Sequence, residues 1–135
     1  DIDLFYPKFS VRVKAGYFVK QPLPAYIMHG TKGSFLKPRA DVQESNLLAG
    51  MKPNRTDWGT EPESAWGLLH VQDDQSVVGY VTSEQGNYYD FYAAVYESLI
   101  TGSPMPVTAD DGINVMRIIE ASLESNRQQR VVKVS

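Results

Sequence analysis

The feature that most constrains the fold of this 135-residue chain is a pair of amphipathic helices within its last fifty residues. Apolar residues at three- and four-residue intervals predict the first helix, which begins at Tyr88 and ends near Gly102. A link with two prolines follows over residues 103–107 and separates it from the next helix. Each helix needs another element against which to bury its apolar side.

The second helix is predicted to begin at Thr108, whose hydroxyl can accept hydrogen bonds from the amides of the first turn. Asp110 and Asp111 follow, and carboxylates are favoured at the positive end of the helix dipole. After this helix, the β-branched run from Arg130 to Val134 predicts a closing strand.

Short runs within the first eighty or so residues read as strands, and the first two alternate between apolar and polar side chains, which is typical of antiparallel strands with one solvated face. Three hairpins are predicted, with turns at Pro7-Lys8, at Gly30–Gly33 and at Asp73-Asp74. Strands in runs, followed by helices, indicate the α+β class. We expect a single domain over residues 1–135: a mostly antiparallel open sheet with the two C-terminal helices packed on one face.

A short helix is predicted between the second and third hairpins. Asp41 is a good N-cap, and Glu44 three positions later gives a capping-box pattern. The helix is expected to stop at Gly50. Its inward side is expected to carry Val42, Leu47 and Leu48.

Composition and charge exclude several functions. The net charge is -3 without a basic block, so no nucleic-acid partner is expected. The absence of cysteine excludes disulfides and thiolate chemistry. No apolar stretch is long enough to predict a membrane span, and no secretory signal is visible, so we expect a cytoplasmic protein. Because the alternation has already begun at Asp1, the chain is expected to be part of a longer protein.

The sequence offers little for catalysis. It has no G-x-G-x-x-G sequence for a dinucleotide, and the glycines at 30 and 33 lead into a strand, which favours a hairpin. His29 and His70 lie in strand patterns without a second ligand at metal-binding spacing, so packed or surface roles are favoured over those of ligands or bases. We therefore assign no catalytic, cofactor-binding or metal-binding residue.

Two aromatic residues are candidates for contact with a substrate. Trp58 lies in the turn-rich stretch 51–63, which lacks the periodicity that would bury a large ring. Tyr89 belongs to an aromatic group at a helix start that cannot all face inward, although packing is the alternative. An indole can stack on the apolar face of a sugar and a phenol can bind its hydroxyls, so both are expected to border a cleft.

The order and spacing of several segments resemble one oxidoreductase family. The sequence from Tyr26 to Phe35 (YIMHGTKGSF), the Asp41-Val42-Gln43-Glu44 segment, the Trp58-Gly59 loop and the terminal helices carry the resemblance. Together they are similar to the C-terminal domain of the Gfo/Idh/MocA oxidoreductases, in the branch that contains scyllo-inositol and related sugar dehydrogenases.

The resemblance implies a parent enzyme that transfers hydride between NAD or NADP and a sugar or polyol. In that family the glycine-rich loop and the catalytic lysine and histidine lie upstream of this domain, so the chain alone is expected to be inactive and not to bind nicotinamide. In enzymes of that family, this domain closes the substrate cleft and pairs subunits through its open sheet face. The resemblance therefore implies a homo-oligomer. The alternative is a non-enzymatic module for self-association or small-ligand binding.

Overall fold

The computed structural model describes residues 1–39, 41–53, 56–72 and 76–134, and it confirms the α+β class. All strand pairs are antiparallel in those ranges. The chain forms two compact units, one of residues 1–19 with 94–135 and one of residues 20–93. In chain order the elements are β1 (Ile2–Phe5), β2 (Ser10–Val13), β3 (Tyr26–His29), β4 (Gly33–Lys37), α1 (Val42–Leu48), a 3-10 helix (Glu63–Ala65), β5 (Gly67–Val71), β6 (Val77–Val81), α2 (Tyr88–Thr101) and α3 (Ala109–Gln128).

The unit of residues 20–93 is built on a four-stranded sheet in the order β3-β4-β5-β6. The hairpins β3–β4 and β5–β6 are confirmed, and β4 pairs with β5 to join them. Residues directly opposite each other share a face, so Ile27, Leu36, Leu68 and Tyr80 form one row across the sheet. The predicted turn at Asp73-Asp74 lies outside the described residues.

The other unit contains the predicted first hairpin, in which Arg12 donates two hydrogen bonds to Asp3 at 2.6 and 2.9 Å. It also contains α3, whose start is confirmed: the Thr108 hydroxyl accepts from the amide of Asp111, and the Asp111 carboxylate accepts from the amide of Thr108. This reciprocal pair satisfies two amides that the helix itself leaves unpaired.

The predicted closing strand at residues 130–134 is wrong. Residues 131–134 are in no strand of the described part of the chain, and α3 continues to Gln128. The helix stops at Gln129, which takes the left-handed conformation with φ 51°. A β-branched run favours extended backbone, but a strand also needs a neighbour that supplies its hydrogen bonds, and sequence alone does not show one.

The prediction for α1 is half right. Asp41 caps the helix by accepting from the amide of Gln43, and the helix ends as expected before Gly50. The inward residue, however, is Gln43, whereas Leu47 is exposed and Leu48 is 83% exposed. The hydrogen bonds that join α1 to the Trp58 loop and to the start of α2 are made by Gln43 in its first turn, whereas Leu47 and Leu48 lie at its other end.

Few apolar side chains are buried in the described ranges: Trp58 and Ala65 are the buried hydrophobic residues. The chain exposes 11632 Å², whereas two separate compact bodies that share its mass would expose together about 8,500 Å². Much of the apolar side of α2 and α3 is exposed, including Tyr92, Leu99, Ile113, Met116, Ile119 and Leu123. A large apolar surface is therefore exposed in this chain. The packing of both helices on one face of a sheet stays a prediction.

Candidate functional site

A buried glutamine joins three segments of the unit of residues 20–93. The side chain of Gln43 is 5% exposed. Its Oε1 accepts one hydrogen bond from the indole Nε1 of Trp58 at 3.2 Å and one from the backbone amide of Tyr88 at 2.8 Å. Its Nε2 donates to Asp41 Oδ1 at 3.4 Å. We call Asp41, Gln43, Trp58 and Tyr88 the Gln43 junction.

Asp41 adds a second connection within this junction. Its Oδ1 accepts from the amide of Gln43 at 2.9 Å, and its Oδ2 accepts from the hydroxyl of Tyr88. The hydrogen bond from Tyr88 lowers the pKa of Asp41, despite the opposing effect of burial, and the same bond raises the pKa of Tyr88. The starts of α1 and α2 are thus fastened to each other by both the backbone and the side chain of Tyr88.

The first turn of α2 is capped by side chains rather than open. Gln43 accepts from the amide of Tyr88, and Asn87 Oδ1 accepts from the amide of Tyr89 at 3.0 Å. Asn87 in turn donates to the Asp90 carboxylate at 2.8 Å. The helix start is therefore fixed by acceptors from two segments of the chain.

The helix N-termini do not fit a dinucleotide. A pyrophosphate binds where free backbone amides and the helix dipole meet it. Here Asp41 occupies the start of α1, Asp90 lies in the first turn of α2, and Asp110 and Asp111 lie in that of α3. These carboxylates repel a phosphate, so the three helix starts are unfavourable places for the pyrophosphate of NAD or NADP.

The loop that carries Trp58 is held from a second side by residues just before α2. Gln85 Nε2 donates to the backbone oxygen of Trp58 and, at 3.2 Å, to that of Thr56. Gly59 has φ 78° and lies so close to Gly86 that a Cβ at Gly59 would come within 1.8 Å of the Gly86 oxygen. The contact therefore requires glycine at position 59 for both conformation and space.

A half-buried ion pair fixes the far end of the same loop. Glu61 Oε2 accepts from Lys37 Nζ and from Ser83 Oγ, each at 2.5 Å, and Lys37 also donates to the Ala65 oxygen at 3.0 Å. Burial alone would raise the pKa of Glu61, but the hydrogen bonds from Lys37 and Ser83 outweigh it and lower the pKa. The carboxylate stays charged and joins β4 to the segment after β6.

The two candidate substrate residues differ in exposure. Trp58 is 4% exposed, so the expectation that its loop leaves the ring unburied is wrong. The loop is held in place by hydrogen bonds between Trp58 and two residues distant in sequence, Gln43 and Gln85. Such long-range bonds leave no periodic pattern in the sequence. Tyr89 is 55% exposed. The Gln43 junction connects the Trp58 indole to the amide of Tyr88, one residue before Tyr89, and the contact of either ring with a substrate stays a prediction.

The histidines lie on one row of the sheet, since His29 is opposite Ser34 and Ser34 is opposite His70. His29 Nδ1 is 2.9 Å from Ser34 Oγ, and His70 Nε2 is 3.2 Å from Ser76 Oγ. Both side chains are exposed, so each has a serine partner and a solvated surface position. Within the described ranges, no three His, Asp or Glu side chains are grouped so as to hold a metal ion.

Comparison with known proteins identifies the domain. The family described as the oxidoreductase family, C-terminal alpha/beta domain (Gfo/Idh/MocA), matches residues 7–134. The chain belongs to this family. The resemblance stated from the Tyr26–Phe35, Asp41–Glu44 and Trp58-Gly59 segments is thereby confirmed.

Three relatives show how far the similarity extends along the chain. The chain is 36% identical over 132 residues to scyllo-inositol 2-dehydrogenase (NADP(+)) IolW of Bacillus subtilis, covering 97% of this chain and 37% of that protein. The structure of the oxidoreductase yvaA from Bacillus subtilis superposes with a TM-score of 0.92 at 35% identity, over 98% of this chain and 39% of that one. An oxidoreductase from Bacteroides fragilis superposes at 0.78 with 41% identity, over 87% of this chain and 35% of that one.

The chain thus spans less than two-fifths of the length of these relatives. None of its described helices combines the length and apolar character that crossing a membrane requires. The family and the domain are established, and the activity of a complete protein is a separate question.

Proposed function

We propose that this chain is the substrate-cleft and oligomerisation domain of an NAD(P)-dependent oxidoreductase that acts on a sugar or polyol. The scyllo-inositol dehydrogenase relative, which matches along almost the whole chain, supports the substrate class and a nicotinamide cofactor. The acidic helix starts support a nucleotide site elsewhere in the complete protein. This domain then contributes recognition of the substrate rather than hydride transfer.

The observation that carries the proposal is the exposed Tyr89 beside the Gln43 junction. A substrate is recognised best by side chains whose backbone is already fixed, because less freedom is lost on binding. Gln43 and Asn87 hold the amides of the two residues that start α2. Tyr89 therefore presents a ring and a hydroxyl from a fixed helix start, which suits a ligand with many hydroxyl groups.

Kinetics of the full-length protein test this assignment. Tyr89→Phe removes only the hydroxyl, and we expect kcat/KM for scyllo-inositol or a related polyol to fall about three- to tenfold, because a hydrogen bond contributes about 0.5–1.5 kcal/mol. Tyr17→Phe is the matched control, since Tyr17 is an exposed tyrosine in the other unit. Equal kinetics for both variants and the unchanged protein would remove Tyr89 from the site.

Trp58 is tested through stability as well as kinetics. Because its ring is buried, we expect Trp58→Ala to lower the free energy of unfolding by about 3–5 kcal/mol. If Trp58→Phe, which keeps most of the ring volume, leaves kcat/KM unchanged, Trp58 supports the loop and does not contact the substrate.

We assign the oligomer contact to the sheet face that carries Ile27, Leu36, Leu68 and Tyr80. Lys37 lies on the opposite face of the sheet and donates hydrogen bonds to Glu61 and Ala65, so the end of the Trp58 loop lies on that opposite face. Ile27 and Tyr80 are exposed, and a two-fold contact is the commonest way to cover such a face.

Light scattering at several protein concentrations tests this contact. Tyr80→Glu is expected to reduce the associated mass to that of one chain, whereas Tyr17→Glu, which places the same charge at an exposed aromatic residue of the other unit, should leave the mass unchanged. A single-chain mass for the unsubstituted protein at every concentration would refute the assignment.

The large exposed apolar surface also favours a second candidate, a non-enzymatic module for self-association or small-ligand binding. The full-length protein separates the two. NADP-dependent oxidation of a polyol supports the oxidoreductase, while association without oxidation of any offered polyol supports the module.

A further inference from the structure

The side-chain oxygen of Gln43 is a buried polar atom that accepts two hydrogen bonds. Burying an amide without partners is unfavourable, so a buried glutamine persists where its hydrogen bonds are needed. Gln43 Oε1 accepts two hydrogen bonds, from donors 15 and 45 residues away in sequence, and Nε2 has Asp41 as its acceptor. Among the described residues, no buried side-chain nitrogen or oxygen lacks a partner.

The backbone around this amide is shaped to enclose it. A Cβ on Gly86 would lie 3.0 Å from Gln43 Nε2, and a Cβ on Gly59 would lie 3.4 Å from Gln43 Cδ. Two glycines therefore bring their backbones against the same amide from the loop and from the segment before α2.

We propose that Gln43 is a positioning residue that sets the substrate-facing edge of this domain, since its one oxygen fastens both the Trp58 loop and the first turn of α2 to α1. The inference rests on the proposed function. Gln43 acts through the amide of Tyr88 and the indole of Trp58, and it reaches Tyr89 only through the adjacent backbone. Its loss moves the residues that meet the substrate while leaving the site of nicotinamide binding as it is.

The test compares two substitutions in the full-length protein. Gln43→Met keeps the length of the side chain but removes the acceptor. We expect KM for the polyol to rise roughly tenfold, as it would if a displaced Tyr89 lost about one hydrogen bond to the substrate. KM for NADP should be unchanged and kcat should change much less than KM. Gln43→Glu keeps an oxygen that can accept from Trp58 and Tyr88, but when ionised it places a second carboxylate against Asp41, to which Gln43 Nε2 donates. Its polyol KM should therefore return close to that of the unchanged protein only at a lower pH, where the added carboxyl is protonated and can donate to Asp41.

Two further measurements separate positioning from general loss of stability. Thr108→Ala removes the cap of α3 in the other unit and lowers stability without touching the Gln43 junction, so its polyol KM should not change. In a Trp66→Phe background, Trp58 is the only tryptophan of this domain, and its fluorescence should shift to longer wavelength with Gln43→Met but not with Gln43→Glu at the lower pH.

The outcomes are distinct. If the unchanged protein oxidises polyols but Gln43→Met alters the fluorescence without raising KM, the positioning role is wrong and the proposed function stands. The positioning role is equally wrong if Thr108→Ala raises the polyol KM as much as Gln43→Met does. If the unchanged protein oxidises no polyol, the proposed function fails and the positioning role fails with it.

Discussion

Gly59→Ala is the substitution for which the structure makes the sharpest prediction. Gly59 has φ 78°, a conformation that side chains rarely adopt, and its position leaves no space for a methyl group. The added Cβ would meet the backbone oxygen of Gly86 at 1.8 Å and the backbone carbon at 2.9 Å. Backbone atoms cannot rotate away as a side chain can, so the loop or the segment before α2 must shift.

The expected loss has two parts. Left-handed backbone costs a residue with a Cβ about 1–2 kcal/mol. A shift that separates Gln43 from its two donors leaves buried polar groups unsatisfied, at about 1–3 kcal/mol each. We therefore expect the free energy of unfolding to fall by about 3–8 kcal/mol, a large share of the roughly 5–15 kcal/mol that a domain has.

Gly50→Ala is the matched control. Gly50 has almost the same φ, 77°, but nothing lies within 4 Å of the position of its Cβ, so only the backbone term of about 1–2 kcal/mol applies. Urea unfolding followed by tryptophan fluorescence measures both. With a slope of about 2 kcal/mol per molar, Gly59→Ala should lower the midpoint by about 1.5 M or more and Gly50→Ala by about 0.5–1 M. Similar midpoints for the two variants would show that the Gly59–Gly86 contact contributes nothing.

Other substitutions test separate features. Gly112→Ala should raise stability by about 1 kcal/mol, seen as a higher melting temperature, because Gly112 lies in α3 with open space at its Cβ. The lowered pKa of Glu61 means that its bonds to Lys37 and Ser83 stabilise the fold fully above its ordinary pKa of 4.5 and lose that effect as pH falls through the lower folded value. Lys37→Met should therefore lower the melting temperature at pH 7 and make its decline below about pH 4.5 shallower, and an unchanged acid profile would contradict this account.

Local patterns predicted the elements well. Period-2 alternation with turn residues located the hairpins, and Thr108 with Asp111 located the start of α3, because these signals act within a few residues. The closing strand failed because β-branched residues at 131–134 indicate a preference but not a pairing partner.

The Gln43 junction could not be found this way. Its hydrogen bonds join residues separated by 15 and 45 positions, and a glutamine in a short helix gives no local sign that it is buried. One of these long-range bonds is made by the indole of Trp58, which is buried although its stretch of sequence has no periodicity. Sequence patterns predicted which helices and strands form. They did not predict which side chains join these elements, because that depends on contacts between residues far apart in the sequence.

The exposed apolar sides of α2 and α3 have a consequence for how the stability of this domain responds to its surroundings. Any protein surface that covers Leu99 or Leu123 binds the folded form and not the unfolded chain. Mass action then adds free energy of unfolding that grows with the concentration of that partner. The melting temperature of the domain is therefore not fixed by its sequence alone, and it rises with the concentration of the partner that covers these helices.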